Sequence, residues 1–277
     1  MEEIEQLCQD WYQVGNYEAV IDTVEILPLE LQSATLTHLL QLSQKRVLAS
    51  LYEQMTAVME AIKPPLEEYR AEERAALEQH ITQHYGPIAT VISDDKPQDI
   101  KVDICVIEPS AEHPFYTLIT CGMGAHQMAV NQEQAAQQLQ RAELIITLPS
   151  DWKLSSKFQQ FQRWSWPLLV LKVTARMGLS SDWIVDPGFI INYNGPLAHN
   201  TKLSGWVVLG PDAMNIAASV CSLPNGDKVN FYQILPLYQN EVEYGIERTG
   251  AELIAKLTEV SRVVDLTRPN ALEPKEE

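Results

Sequence analysis

The run Cys121-Gly122-Met123-Gly124-Ala125-His126 sets a thiol and an imidazole on either side of two glycines. A thiol nucleophile needs a base within hydrogen-bond reach and a third group that orients the base. The glycines could supply a sharp turn and exposed amides for an oxyanion. No orienting partner is apparent, so Cys121 is read first as a packed thiol at a strand end, and a Cys121-dependent enzyme is the lesser alternative. His80 and His84 share a helical face at i and i+4. That spacing could support a metal, but no third ligand stands at a recognisable spacing. The pair is therefore read as plain exposed helix surface. The chain has no G-x-S-x-G, H-E-x-x-H, Walker loop or G-x-G-x-x-G. No residue is assigned a catalytic, cofactor-binding or metal-binding role, and the reading is of a protein that is not an enzyme.

Binding chemistry is easier to find. Arg141, Lys153, Lys157, Arg163, Lys172 and Arg176 face only Glu143 and Asp151, so residues 141–176 carry a net charge of +4. The same segment holds Trp152, Phe158, Phe161, Trp164 and Trp166. Arginine and aromatic residues are enriched at interface hot spots. Most of these aromatics are expected to fill a core, because they bury large area. Lys153, Lys157, Arg163 and Trp164 are the candidate partner-binding residues. The whole chain is acidic, with 37 Asp and Glu against 20 Lys and Arg and a net charge of −17. Such a chain repels phosphate backbones and suits a positively charged partner.

These residues need elements to carry them. With 277 residues, 45% of them hydrophobic, the chain is expected to fold as one large or two smaller domains. Its front reads as helical. Leu7, Trp11 and Val14 are followed by Gly15-Asn16, then Tyr17, Val20, Ile21 and Val24. A long run from Leu36 through Leu51, Met55, Val58 and Ile62 ends at Lys63-Pro64-Pro65. Leu66–His84 reads as one more helix, closed by Gly86-Pro87. The phrase Trp11–Val20 resembles a tetratricopeptide-type hairpin, and an ordinary helical subdomain is the equal alternative. From about residue 90 the texture becomes β-branched. Val102–Ile107 and Phe115–Thr120 form a predicted hairpin. Glu143–Leu148 is a buried strand, and Trp166–Met177 a helix with Pro167 in its first turn. Phe189–Asn192, Leu203–Leu209, Val220–Leu223 and Val229–Leu235 are predicted strands. Leu237–Glu247 and Ala251–Val260 are predicted helices.

The domains are therefore drawn as a helical, tetratricopeptide-like region at 1–88, an α+β domain at 89–270 with a mixed sheet and flanking helices, and a tail at 271–277. The longest apolar run, Trp166–Leu171, is far below the roughly 18 residues of a membrane span. The acidic opening lacks the features of a secretory signal. Cys8, Cys105, Cys121 and Cys221 are widely spaced and read as reduced thiols. A cytoplasmic protein is expected.

Several blocks in order resemble the suppressor of fused (SUFU) domain family. They begin with Ser93-Asp94 and Val102-Asp103-Ile104, followed by the family's most recognisable block, Phe115-Tyr116-Thr117-Leu118-Ile119-Thr120-Cys121-Gly122-Met123-Gly124-Ala125. Trp166-Pro167, Val229-Asn230-Phe231-Tyr232 and Arg268-Pro269-Asn270 follow. The family-motif positions are thus Asp103, Tyr116, Thr117, Thr120, Gly122, Met123, Trp166, Pro167, Asn230 and Phe231. The chain departs from the family at Asp186-Pro187-Gly188-Phe189, where a Trp-Gly-His-Thr stretch is common, and at Lys101, where a histidine is usual. The resemblance implies a protein-binding role. Animal members restrain a transcription factor by gripping one of its peptides, partly by strand addition, and bacterial members are proposed as immunity proteins. The expected function is to sequester or inhibit a partner protein, such as a basic toxin or a regulatory protein. An adaptor that uses both regions is the alternative. No nucleic acid, membrane or cofactor is expected.

Overall fold

The computed structural model describes residues 2–28, 31–61, 66–97, 99–210 and 213–273. The chain divides into two compact units, Met1–Pro65 and Leu66–Glu277. The first holds α1 (Glu2–Gln13), α2 (Tyr17–Ile26) and α3 (Ala34–Ala61). Gly15 turns the chain between α1 and α2 with φ of +79°, a value that favours glycine. The Asn16 side chain accepts from Ala19 N to cap α2. Cys8, Val20, Val24, Leu36 and Leu39 close a small apolar core. The side chains of Leu51, Met55 and Val58, and the whole of Ile62, lie outside the described residues.

The second unit is built on one mixed sheet. It contains α4 (Ala71–His84), β1 (Ile88–Ile92), β2 (Asp103–Ile107), β3 (Phe115–Cys121), α5 (Gln132–Ala136) and β4 (Arg141–Pro149). The chain continues through α6 (Ser156–Gln159), α7 (Gln162–Met177), β5 (Ile190–Asn192), β6 (Leu203–Leu209), β7 (Val220–Ser222), β8 (Lys228–Tyr238), α8 (Gln239–Glu247) and α9 (Gly250–Lys256). The strand order is β1-β2-β3-β4-β8-β6-β5, with β7 also pairing β8. Neighbours run antiparallel except β4 and β8, which are parallel. Alternate side chains define the two faces. Leu118, Leu144, Ile146 and Val208 meet Trp166, Val170 and Leu171 of α7. Cys105, Ile119, Ile145 and Phe231 meet Leu77 and Ile81 of α4. Leu235 and Leu237 meet Val242 of α8 and Leu253 of α9. Burial on both faces explains why Leu144, Ile145 and Ile146 of β4 are apolar in succession.

The structure differs from the sequence reading at several ends. Leu66–Arg70 is not helical, and Glu67 bridges Ile100 instead. Ile88–Ile92 is a strand that the sequence reading does not include. The chain beyond it is tied inward at Asp94 and at Asp99, which both receive Arg176 of α7. The helix α7 starts at Gln162, so Pro167 stands in its second turn. Leu237 and Tyr238 continue β8 instead of opening a helix. The C-terminal segment is held where it can be described. Arg268 is buried against Glu241, and Ala271 N donates to the same carboxylate. Residues 274–277 lie outside the described residues. Among the described residues no helix is long and apolar enough to cross a membrane.

The units divide ahead of α4, whereas the sequence places the domain boundary at 88. Packing supplies the reason, since Leu77 and Ile81 are fully buried against the sheet. We therefore expect a chain starting at Leu66 to unfold cooperatively in a thermal melt followed by circular dichroism. A chain starting at Thr90 loses α4, bares that face and should show no cooperative transition. A cooperative melt for the shorter chain would move the boundary back to 88.

Candidate functional site

One carboxylate organises the family's most recognisable block. Glu143 lies on β4 with no exposure. Its Oε1 accepts from Tyr69 Oη at 2.9 Å, Gly122 N at 2.9 Å and Gly124 N at 3.1 Å. Its Oε2 accepts from Thr120 Oγ1, which itself accepts from Leu144 N at 2.8 Å. Burial pushes the Glu143 carboxyl up, and the four hydrogen bonds oppose that shift. Burial, together with the Glu143 charge, pushes the Tyr69 phenol up as well. The glycines are required by space. A Cβ at Gly122, whose φ is +147°, would stand 1.8 Å from Lys101 O, and one at Gly124 would stand 2.2 Å from Tyr69 Oη.

This arrangement corrects the oxyanion expectation, because both glycine amides already serve Glu143. Cys121 is buried. A hydrogen bond with Cys105, burial and the nearby Glu143 push its thiol far up, away from the thiolate a nucleophile needs. His126 is engaged elsewhere, with Nδ1 3.0 Å from Glu67 Oε2. The reading of His80 and His84 as exposed surface is also corrected. His80 is partly buried, its Nε2 lies 3.0 Å from Ala218 O, and its ring stacks on Phe231. Burial lowers its pKa, outweighing the bond to Ala218.

The other family-motif positions mostly build the fold. Asp103 accepts from Arg74 Nη1 at 2.8 Å and from Asp94 N at 2.9 Å. Asn230 donates to the carbonyls of Gln138 and Arg141. Met123 and Trp166 are buried, as is Pro167 in α7. Tyr116 packs against the α7-side core. Thr117 and Phe231 line a cavity of about 390 Å³ over β3, β4 and β8, walled by Tyr85, Phe115 and Arg262.

The candidate binding residues are partly brought together. Arg163 lies over the Trp164 ring, 4.5 Å from its centroid. Both line a second concavity of about 450 Å³ beside Asp151 and Leu266. Trp152 meets Trp164 and Trp166 edge to face and is buried, so two of these aromatics fill the core as expected. Lys153 and Lys157 are exposed and do not line that concavity. The side chain of Phe158 lies outside the described residues.

Sequence reasoning missed Glu143, Tyr69 and the Arg176–Asp94 pair. Glu143 did carry a signal. An acidic residue inside a buried strand must find donors, and the glycine-rich turn supplies two.

A family model described as suppressor of fused protein (SUFU) matches residues 98–269. The chain belongs to the suppressor of fused family. Solved structures agree in fold. The crystal structure of a Sufu–Fu complex matches at 15% identity and a TM-score of 0.51, over 73% of this chain and 93% of that one. A putative SUFU homologue from Neisseria gonorrhoeae matches at 14% identity and 0.51, over 74% and 100%. No curated protein sequence matches significantly. The matched SUFU region omits α4, Tyr69 and β1, although these complete its sheet and its Glu143 cradle.

Two outcomes follow for the SUFU domain. Gly124→Ala should cost about 1–3 kcal/mol by overpacking, and the cost should fall in a Tyr69→Phe background, where the clashing hydroxyl is gone. Equal costs in both backgrounds, measured by urea unfolding, would contradict the cradle. Native Cys121 should also alkylate with iodoacetamide more slowly than a free thiol, at a rate unchanged by His126→Ala.

Asp94 gives a pH dependence. Burial alone would raise its carboxyl, but hydrogen bonds from Arg176 and Val102 and the charges of Lys172 and Arg176 hold it below its ordinary value of 3.8. A depressed acid stabilises the fold fully above 3.8, and that contribution is lost as pH falls through the lower folded value. The stability gap between the wild type and Asp94→Asn should therefore be constant near neutrality and close at low pH. A gap that shows no decrease as pH falls below 3.8 would show that charge is not its source.

Proposed function

We propose that this SUFU domain is a protein-binding module that sequesters a partner protein. The observation that carries the reading is the fate of the family's block. Its polar groups at Thr120, Gly122 and Gly124 are bound to Glu143, so they build the platform and leave recognition to the surface. The concavity at Arg163 and Trp164, with exposed Lys153 and Lys157 on the same stretch of chain, offers the basic and aromatic chemistry of an interface. That a fold relative is held in a Sufu–Fu complex supports a protein as the partner.

Net charge narrows the partner. At −17, long-range attraction favours a basic protein, and opposite fields speed encounter by roughly 10–10³-fold. An immunity protein against a basic toxin fits this, because covering a cleft is enough to inhibit, and a basic regulatory protein fits it equally. An adaptor role draws support from the separate helical unit, which exposes Val14 and Ile26.

Affinity capture from the native cell followed by reconstitution from purified proteins tests the proposal. Raising salt should slow association strongly and change dissociation little. Replacing Lys153, Lys157 and Arg163 with alanine should speed dissociation. An on-rate indifferent to salt would remove the electrostatic argument, and an unchanged off-rate would return the three side chains to solvated surface.

A further inference from the structure

Four of the described arginines that are at least half-buried hold a carboxylate. Arg74 pairs with Asp103, Arg141 with Asp227, Arg176 with Asp94 and Arg268 with Glu241. Arg262 is partly buried too, yet it meets no carboxylate among the described residues. Its backbone is nevertheless fixed, since its carbonyl accepts from Thr147 Oγ1 at 2.6 Å and Gln233 Nε2 at 2.9 Å. Its Nη1 donates to Gly210 O at 3.1 Å and to Gln233 Oε1 at 3.4 Å. The Nε and Nη2 groups donate to no protein group among the described residues. A held guanidinium with spare donors is preorganised for a bidentate acid.

What lies beside it combines an apolar floor with polar walls that include His84, His113 and Gln233. The cavity over β3, β4 and β8 is floored by Ile145 and Phe231 and walled by Tyr85 and Phe115. Its volume of about 390 Å³ falls in the roughly 300–1,000 Å³ range of small-molecule sites. No carboxylate among the described residues lines it, although the chain carries 37 acidic residues. Aromatic side chains, a held guanidinium and the lack of a carboxylate among the described lining residues together favour a compact apolar body with an anionic head.

We propose that this cavity is a ligand site for a small aromatic carboxylate, with the ring against Phe115 and Phe231 and the carboxylate on Arg262. The site is separate from the surface around Lys153, Arg163 and Trp164 and goes beyond partner binding.

A matched pair of probes tests it on the full chain. Titration with 1-naphthaleneacetate, followed by protein-observed NMR, should be saturable and should shift resonances of Ile145, Thr147 and Phe231. Its neutral isostere 1-naphthaleneacetamide should bind at least about tenfold more weakly, because hydrogen bonds to charged groups are the stronger ones. This comparison needs no variant. Arg262→Gln should erase the difference between the two probes, and Phe115→Ala should weaken both. Equal affinity of acid and amide for the wild type, or absence of saturable binding at these residues, would overturn the proposal. So would full discrimination retained in folded Arg262→Gln.

Discussion

Glu143 is buried, ionisable and surrounded by four donors that come from Tyr69 and from the Thr120–Gly124 stretch. Placing a carboxyl at the centre of a sheet is costly unless its oxygens are bonded, so every neighbour is constrained. With the amides at this distance a Cβ at 122 would collide with Lys101 O and one at 124 with Tyr69 Oη, which fixes glycine at both. Tyr69 reaches the site only if the chain enters beside β2 through the Glu67–Ile100 bridge. That entry in turn sets α4 on the sheet, where Leu77 and Ile81 seal the same face. Arg141 extends the arrangement outward. It donates to the carbonyls of Gly124 and Ala125 and pairs with Asp227 in the turn before β8.

Legibility in the sequence followed burial pattern. β6 was readable because Trp206, Val207, Val208 and Leu209 form a strand-favouring apolar run closed by Gly210. The β2–β3 hairpin was readable from alternation and a polar turn. β1 was hidden by Gly86-Pro87, which marks a boundary in most contexts but here only turns α4 into the edge strand. Pro236 hid the length of β8. β4 pairs β8 only as far as Gln233, so beyond that point one side of the strand lacks a neighbour, and a missing N–H is tolerated there. The start of α7 was hidden by the aromatic, basic run before Trp166, which has no side-chain cap at Phe161. Of the candidate site, the aromatic and basic segment was visible as composition. The cradle and the Arg262 cavity were not, because each is assembled from residues far apart in the chain.

The ion pairs share one logic. Asp94 and Asp99 reach Arg176 on α7, while Asp103 reaches Arg74 on α4. The chain from Asp94 to the first residue of β2 is thus fastened to helices on both faces of the sheet. These pairs are partly shielded, so they resist salt better than the diffuse surface charge does. The strongly acidic character of the molecule therefore resides mostly in side chains that do not hold the fold.

The pairing of β4 with β8 has a temporal consequence. β4 is complete by Pro149, but its parallel partner begins at Lys228, and Arg268 must arrive before Glu241 is neutralised in its buried place. During synthesis the sheet waits with an open hydrogen-bonding edge along β4 while some eighty residues are added. Non-local pairing of this kind is slow and exposes sticky intermediates. The helical unit relies on contacts close in sequence, so it can form on the ribosome well before the sheet closes. The nascent chain would then carry a folded head and an unfinished sheet while those residues are added, and holdase chaperones would meet it in that interval.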